Sequence, residues 1–474
     1  MILYPFPYSM GNLKEACGIF GIFGAKKASE LTYLGLYALQ HRGQEGSGII
    51  SSDGQQVYSH KGLGLVNEVY DGKEILSGLK GDRAIGHNRY STTGSSFNMA
   101  NVQPILINYK DGPLAISHNG NLTNAYSLRT NMEKKGSIFQ STSDSEVILH
   151  LIAASGKQTL EARVVDALKK VEGAYSILLI NKEKIIAARD PRGWRPLALG
   201  KLGKAWVLAS ETCAFDLIGA KYIRDIQPGE VFVISEKGTK SLNPFRQVKH
   251  AFCVFEFIYF ARPDSKIFGE NVDKVRRRLG RELALEQPAQ ADIVISVPDS
   301  SNTHTLGYSE QSGIRQEIGL IRNHYIGRTF ISPEQKIRDL DAKIKYNPVT
   351  GALKNKKVVI VDDSIVRGTT SRKLVQMVKR AGAKEIHFRV ASPPIVSPCF
   401  YGIDMPTKKE LIASSKSVEQ IRKYLGVKSL GYLSLQGMLS MKSLAKENYC
   451  VACFTGKYPT RIENHSGKKI LEQR

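Results

Sequence analysis

Residues 358–371 read VVIVDDSIVRGTTS. Val358 to Val361 form a short, unbroken apolar run of β-branched residues, the pattern of a strand buried on both faces of a parallel sheet. Asp362 and Asp363 follow at its C-terminal end, where open α/β sheets place their ligands. The loop after them carries Arg367, Gly368, Thr369 and Thr370, and residues 371–381 read as a helix. Two hydroxyls, a glycine and the free N–H groups of a helix start make a cradle for phosphate. The paired carboxylates just before it suit ribose hydroxyls and a hydrated Mg²⁺. A plain acidic turn at a strand edge would account for the two aspartates, but not for the whole string.

At 474 residues the chain has room for two or three domains, each with its own core. Its 42% hydrophobic and 23% charged residues are those of a soluble globular protein. No apolar run approaches the ~18 residues of a membrane helix. Residues 1–16 hold two prolines and Glu15, and lack a basic n-region and a sustained apolar core. They fit neither a secretory signal nor a transit peptide, so a cytoplasmic protein is expected, with Met10 as an alternative start. The net charge is +23, from 67 basic and 44 acidic residues. Nucleic acid or strongly anionic small substrates would each explain it. The basic residues are mostly dispersed. The densest cluster, Arg276, Arg277, Arg278 and Arg281, reads as the solvated face of an amphipathic helix. Without zinc-finger or RRM signatures, no nucleic-acid partner is expected.

In the first half, residues 17–24 (CGIFGIFG) form a glycine-punctuated apolar strand headed by a cysteine. Residues 31–40 read as a helix that ends at His41-Arg42-Gly43. IGHNRYSTTGSS (85–96), LAISHNGNLTN (114–124), STSDSEVILHLIA (141–153) and the stretch 174–200 follow. Short strands with turn punctuation and few helices argue a layered α+β domain. Singly these motifs are weak. In this order they resemble the glutamine amidotransferases of the N-terminal-nucleophile class, from Cys17 to about residue 245. The resemblance implies a four-layer αββα sandwich. It also implies that Cys17 becomes the first residue of the mature chain, with residues 1–16 a propeptide and its own α-amino group the base. Cysteine is the most nucleophilic side chain near neutral pH, and an α-amino pKa of ~7.7–8 suits a general base. By the same resemblance Arg89 grips the α-carboxylate of glutamine, Asp144 holds its α-ammonium, and Asn119 with the N–H of Gly120 forms the oxyanion hole. Cys213 reads as core packing.

A stretch of lysines, prolines and turn residues near 236–250 marks a boundary, giving units of 17–247 and 248–474. In the second unit, apolar strands at 292–302, 358–361 and 385–394 alternate with helical stretches, the pattern of a doubly wound α/β domain. It resembles the type I phosphoribosyltransferases, with VVIVDDSIVRGTTS as their phosphoribosyl-pyrophosphate (PRPP) motif. The resemblance implies that Arg367, Gly368, Thr369 and Thr370 bind PRPP and that Ser300, in VPDS, joins Asp362 and Asp363 at Mg²⁺. Residues 325–331 (YIGRTFI) match the start of the mobile loop that closes over PRPP.

Both units in this order resemble the glutamine PRPP amidotransferases. That implies transfer of glutamine-derived ammonia to PRPP, giving phosphoribosylamine, pyrophosphate and glutamate, the first committed step of purine synthesis. Purine nucleotide inhibitors and a homo-oligomer, tetramer or dimer, are implied too. Of the six cysteines, Cys450 and Cys453 form a CxxC pair, a metal or redox signal. With Cys253 and Cys399 they would give four thiolates, which suit zinc or an iron–sulfur cluster equally. In the propeptide-bearing subgroup these positions resemble the ligands of a structural [4Fe–4S] cluster. The chain departs from the family pattern at His324, at Thr350 and at Thr303, His304 and Thr305, all bordering the PRPP or nucleotide side. These departures leave room for a different protein, a nucleotide-sensing regulator with the same fold and residual glutaminase activity. The glutaminase half could also feed a sugar isomerase, but the DDSIVRGTTS string argues against it.

Overall fold

The computed structural model describes residues 17–90, 98–323, 345–405, 407–440, 446–463 and 471–472. The leader 1–16, His324 and residues 325–331 lie outside the described residues.

The sequence CGIFGIF alternates strictly once it is folded. In the strand Gly18–Phe23, Ile19 and Phe23 face one side and Phe20 and Ile22 the other, and all four are buried. The strand sits inside a seven-stranded antiparallel sheet, between Ala205–Ala209 and Arg83–Arg89. A second antiparallel sheet of six strands runs from Gly238–Leu242 to Ile105–Tyr109 and includes Gly112–Leu122 and Gly173–Ile180. The inner faces meet through Ile19, Ile50 and Ile85 of the first and Ala115, Leu178 and Ile180 of the second. Each of these isoleucine and leucine side chains contributes roughly 1.5–3 kcal/mol by leaving water. The outer faces are covered by helices. Ala28–Ala38 lies on the first sheet so closely that a Cβ on Gly35 would sit 2.3 Å from the ring of Phe20. Ser145–Ala154 and Leu160–Leu168 cover the second sheet. The four layers expected of the first half are therefore present.

The second half is built on a four-stranded parallel sheet, in the order Ile293–Ser296, Lys357–Asp362, Glu385–Val390, Ser429–Tyr432. Val359 and Val361 enter one core and Val358 and Ile360 the other, so this strand is buried on both faces as the sequence implied. Helix Thr369–Arg380 starts two residues earlier than the sequence pattern suggested, because Gly368 takes the left-handed φ of 76° at its N-cap. Helix Val272–Glu286 corrects a second expectation. Arg277 and Arg281 do pair at the surface with Glu310, but Arg276 is 1% exposed and donates to the carbonyls of Phe257 and Ala261 at 2.6 and 2.8 Å.

The two halves meet through a charge cluster shut off from water. Arg42 donates to Glu211 at 2.5 Å and to both oxygens of Glu256 at 2.9 and 2.7 Å. Arg195 reaches Glu256 at 3.0 Å and the carbonyl of Tyr401 at 3.1 and 2.8 Å. All four side chains are fully buried. Burial alone would raise the carboxylate pKa values. His41 and Arg42 on Glu211, and Arg42 and Arg195 on Glu256, reverse this and hold both below the usual range. Their contribution to stability is therefore complete above the unfolded value near ~4.3 and is lost as pH falls through the lower folded values. Glu256→Ala leaves the buried Arg195 without a carboxylate and Arg42 with Glu211 alone, and should cost about 3–5 kcal/mol. The expected outcome is a clearly lower thermal midpoint at pH 7 and a smaller difference from wild type in acid. An unchanged midpoint would show that the cluster does not hold the halves together.

Candidate active site

Cys17 precedes the first strand of the sandwich and is 5% exposed. The backbone of Tyr90 brackets its sulfur: Sγ–H donates to the carbonyl at 3.2 Å, and the Tyr90 N–H lies 3.4 Å from Sγ. Arg42 Nε donates to the carbonyl of Cys17 at 3.1 Å, so the interface cluster also fixes the nucleophile's backbone. Burial pushes the thiol up to about 11, against the Tyr90 hydrogen bond and the charge of Arg89. In this chain residue 16 still precedes Cys17, whose nitrogen is an amide.

Arg89 ends the strand beside Cys17 and is 3% exposed. Burial pulls its pKa down, while Glu45, Cys17, Glu472 and Asp144 act to keep it charged. Asp144 caps the start of helix Ser145–Ala154, and its Oδ2 accepts the N–H of Leu122 at 2.8 Å. A cation and an anion thus lie in electrostatic reach of one buried thiol. Asn119 and Gly120 lie on the strand Gly112–Leu122, and both amide atoms of Asn119 are buried without a partner among the described residues. A buried amide in that state costs free energy unless a ligand completes it.

The second centre lies at the C-terminal end of the parallel sheet. Asp362 and Asp363 are buried, and burial raises both pKa values; on Asp362 the charge of Asp363 adds to the rise. Ser300 donates to Asp363 Oδ2 at 2.5 Å, Ser364 donates to its Oδ1 at 2.6 Å, and Ser301 donates to Asp362 at 3.2 Å. Ser301 had no signal of its own beyond adjacency to Ser300. Thr369 and Thr370 open the following helix, and Arg367 is paired with Glu410 at 2.7 Å. Oxygen donors alone, with only two carboxylates, fit a Mg²⁺ whose shell is completed by water and substrate phosphates. Thr350 begins a short helix, Thr350–Leu353. His304 is fully buried, with both ring nitrogens unpartnered among the described residues and its pKa pushed well down by burial.

The four cysteines of the second half converge. Cys253 and Cys450 are register partners in a two-stranded parallel ribbon, Cys453 lies in the next helix, and the Tyr401 N–H donates to Cys399 Sγ at 3.3 Å. Burial first, then the charge of Glu256 and the neighbouring thiols, pushes Cys253 up to about 12, and burial with the other three thiols pushes Cys453 well above the usual thiol value. All four are free thiols. Among the described residues, no three His, Cys, Asp or Glu side chains are already arranged to hold a metal ion. Cys213 is 3% exposed in the core beneath the first sheet, as expected of a packing residue.

Residues 87–216 match the family model for a glutamine amidotransferase domain. The amidophosphoribosyltransferase of Bacillus subtilis is 50% identical over 458 residues, covering 95% of this chain and 95% of that protein. The chain belongs to the amidophosphoribosyltransferase family. The amidophosphoribosyltransferase of Methanocaldococcus jannaschii is 48% identical over 94% of this chain and 98% of its own length. A solved glutamine PRPP amidotransferase from B. subtilis, complexed with ADP and GMP, superposes with a TM-score of 0.91 at 48% identity, covering 96% of this chain and all of the other. Amidophosphoribosyltransferases of Arabidopsis thaliana that match this chain are chloroplastic. No helix among the described residues is long and apolar enough to cross a membrane.

The buried thiol gives a direct test of this environment. Alkylation of Cys17 by iodoacetamide in uncleaved chain, followed by peptide mass spectrometry, should rise about tenfold per pH unit toward pH 11, since only the thiolate reacts. A plateau near pH 8 would show a thiol not governed by burial.

Proposed function

We propose that this chain transfers ammonia from glutamine to the C1 of PRPP, giving 5-phosphoribosylamine, pyrophosphate and glutamate. The observation that carries the reading is the set of charges around Cys17. Arg89 and Asp144, of opposite sign, match the carboxylate and ammonium of an amino acid whose side-chain amide would reach the thiol. The near-full-length likeness to amidophosphoribosyltransferases supports the same activity.

Removal of residues 1–16 would turn the Cys17 amide into an amine, a base beside a thiol that burial otherwise keeps protonated. Cys17 Sγ then attacks the glutamine carboxamide while Asn119 and the Gly120 N–H stabilise the oxyanion. Ammonia leaves, and water resolves the glutamyl thioester to glutamate. In the second unit, Arg367, Gly368, Thr369 and Thr370 bind the phosphates of PRPP, and Ser300, Asp362 and Asp363 hold Mg²⁺. The cation would neutralise the pyrophosphate leaving group and offset the burial and the Asp363 charge that together raise Asp362. We divide the chain at 247/248, after the last strand of the sandwich, Gly238–Leu242. Purine nucleotides are the proposed inhibitors, in keeping with the ADP and GMP of the B. subtilis complex. A homo-oligomer rests on the family resemblance, and the cytoplasm on the composition of residues 1–16.

We assign Cys253, Cys399, Cys450 and Cys453 to a [4Fe–4S] cluster. A cluster would supply structural cross-links between the start and the end of the second unit, and its binding would release the thiol protons that burial retains. Protein purified without oxygen should be brown and carry about four iron atoms per chain. Stoichiometric zinc without iron would replace the cluster by a structural zinc site.

The two chemistries separate by mutation. Cys17→Ala should lose glutamine-dependent synthesis by at least about 10³-fold yet keep synthesis from free ammonia. Asp362→Ala should lower synthesis from either nitrogen source by about 10²-fold, because the PRPP-binding geometry is lost, while basal glutamine hydrolysis persists. Phosphoribosylamine formed by Asp362→Ala at the wild-type rate would displace the PRPP site from this loop.

A further inference from the structure

The strand that carries Asn119 and Gly120 lies against a segment of the far half of the chain. Gly402, with φ of 95°, packs on Gly120 so closely that a Cβ at 402 would sit 2.8 Å from the Gly120 carbonyl carbon and 2.9 Å from its Cα and oxygen. Gly120 cannot retreat. It is paired with Tyr175 inside the sheet, and a Cβ at 120 would itself stand 2.0 Å from the carbonyl oxygen of Ala174. The far segment is equally fixed. Asn121 Nδ2 donates to the carbonyl of Phe400 at 3.0 Å, and Arg195 donates twice to the carbonyl of Tyr401. The Tyr401 ring stacks on Trp194 at 4.4 Å, and its hydroxyl pairs with Thr460 at 2.9 Å. Two backbones are held in contact from both sides, and only hydrogen atoms fit between them.

We propose that Gly402 is a positioning residue for glutamine cleavage: its bare backbone sets where the Gly120 peptide lies, and so where the oxyanion N–H points. This rests on the oxyanion role of Asn119 and Gly120. A side chain at 402 must displace Gly120, because the three heavy atoms nearest that Cβ position are all backbone atoms of Gly120. The glutaminase centre is thereby finished by a residue from the phosphoribosyltransferase half.

The test is Gly402→Ala in the two-domain chain that begins at Cys17. The kcat of glutamine hydrolysis should fall roughly 10- to 100-fold, the scale of a donor displaced or lost from an oxyanion hole. The KM for glutamine, synthesis from free ammonia and alkylation of Cys17 by iodoacetamide should stay at wild-type values, since none of these needs the oxyanion donor. Asn121→Ala, which keeps the glycine and removes the tie to Phe400, should lower the same kcat by a smaller factor, and it serves if Gly402→Ala does not fold. Wild-type kcat in the variant that folds, or a loss shared by ammonia-dependent synthesis or alkylation, would overturn the proposal. Asn119→Ala is run beside them. Wild-type hydrolysis there would remove the oxyanion reading itself, whereas a large loss there with none in Gly402→Ala would remove only the role of Gly402.

Discussion

Arg42, Glu211, Glu256 and Arg195 form a chain of charges with no water to share them. Buried ions of this kind tolerate little rearrangement, because each depends on the others to offset a desolvation cost of several kcal/mol. The consequence here is positional. Glu256 belongs to the second half, Arg42 and Arg195 to the first, and Arg42 also holds the carbonyl of Cys17. The interface and the nucleophile are therefore parts of one hydrogen-bonded object. Arg195 extends it to Tyr401 and so to the segment resting on Gly120.

Burial acts on both chemical centres in the same direction and is answered differently. At Cys17 it keeps the sulfur protonated. At Asp362 and Asp363 it opposes two negative charges side by side. The first needs a base close by, and the second needs a cation. Serine hydroxyls already donate to Asp362 and Asp363, which fixes the orientation of each carboxylate without neutralising it. This suits a loop that must wait for a polyanionic substrate and its metal rather than close on its own.

Much of this was legible in the sequence. A run such as VVIV can be packed on both faces only in a sheet covered on both sides, and CGIFGIF can alternate only between two cores. The residue types at Cys17, Arg89, Asp144 and Asp362–Asp363 carry their chemistry in their functional groups. What escaped notice carries none. His41-Arg42-Gly43 looks like a helix stop, and nothing local reveals that Arg42 meets a carboxylate 214 positions away. Gly402 is a loop glycine until its neighbour is known. Arg276 looks like part of a solvated face by its arginine neighbours, but it shares the buried stripe of its helix with Val272, Val275, Leu279 and Leu283. Helical spacing distinguishes it from Arg277 and Arg281; the arginine count does not.

The ribbon joining Phe252–Cys253 to Tyr449–Cys450 brings the first and last parts of the second half together. During translation these are made far apart in time. Every strand of the glutaminase sandwich lies between residues 18 and 242, so that half can fold while the remainder is still being synthesised. At about 5–20 residues per second, roughly 10–40 s pass before residue 450 is added. Throughout most of that interval a nascent chain already has Cys17 but not the segment that rests on Gly120. Unfinished polypeptides would thus hydrolyse glutamine slowly, and full ammonia release would come only once the half that consumes it has been made.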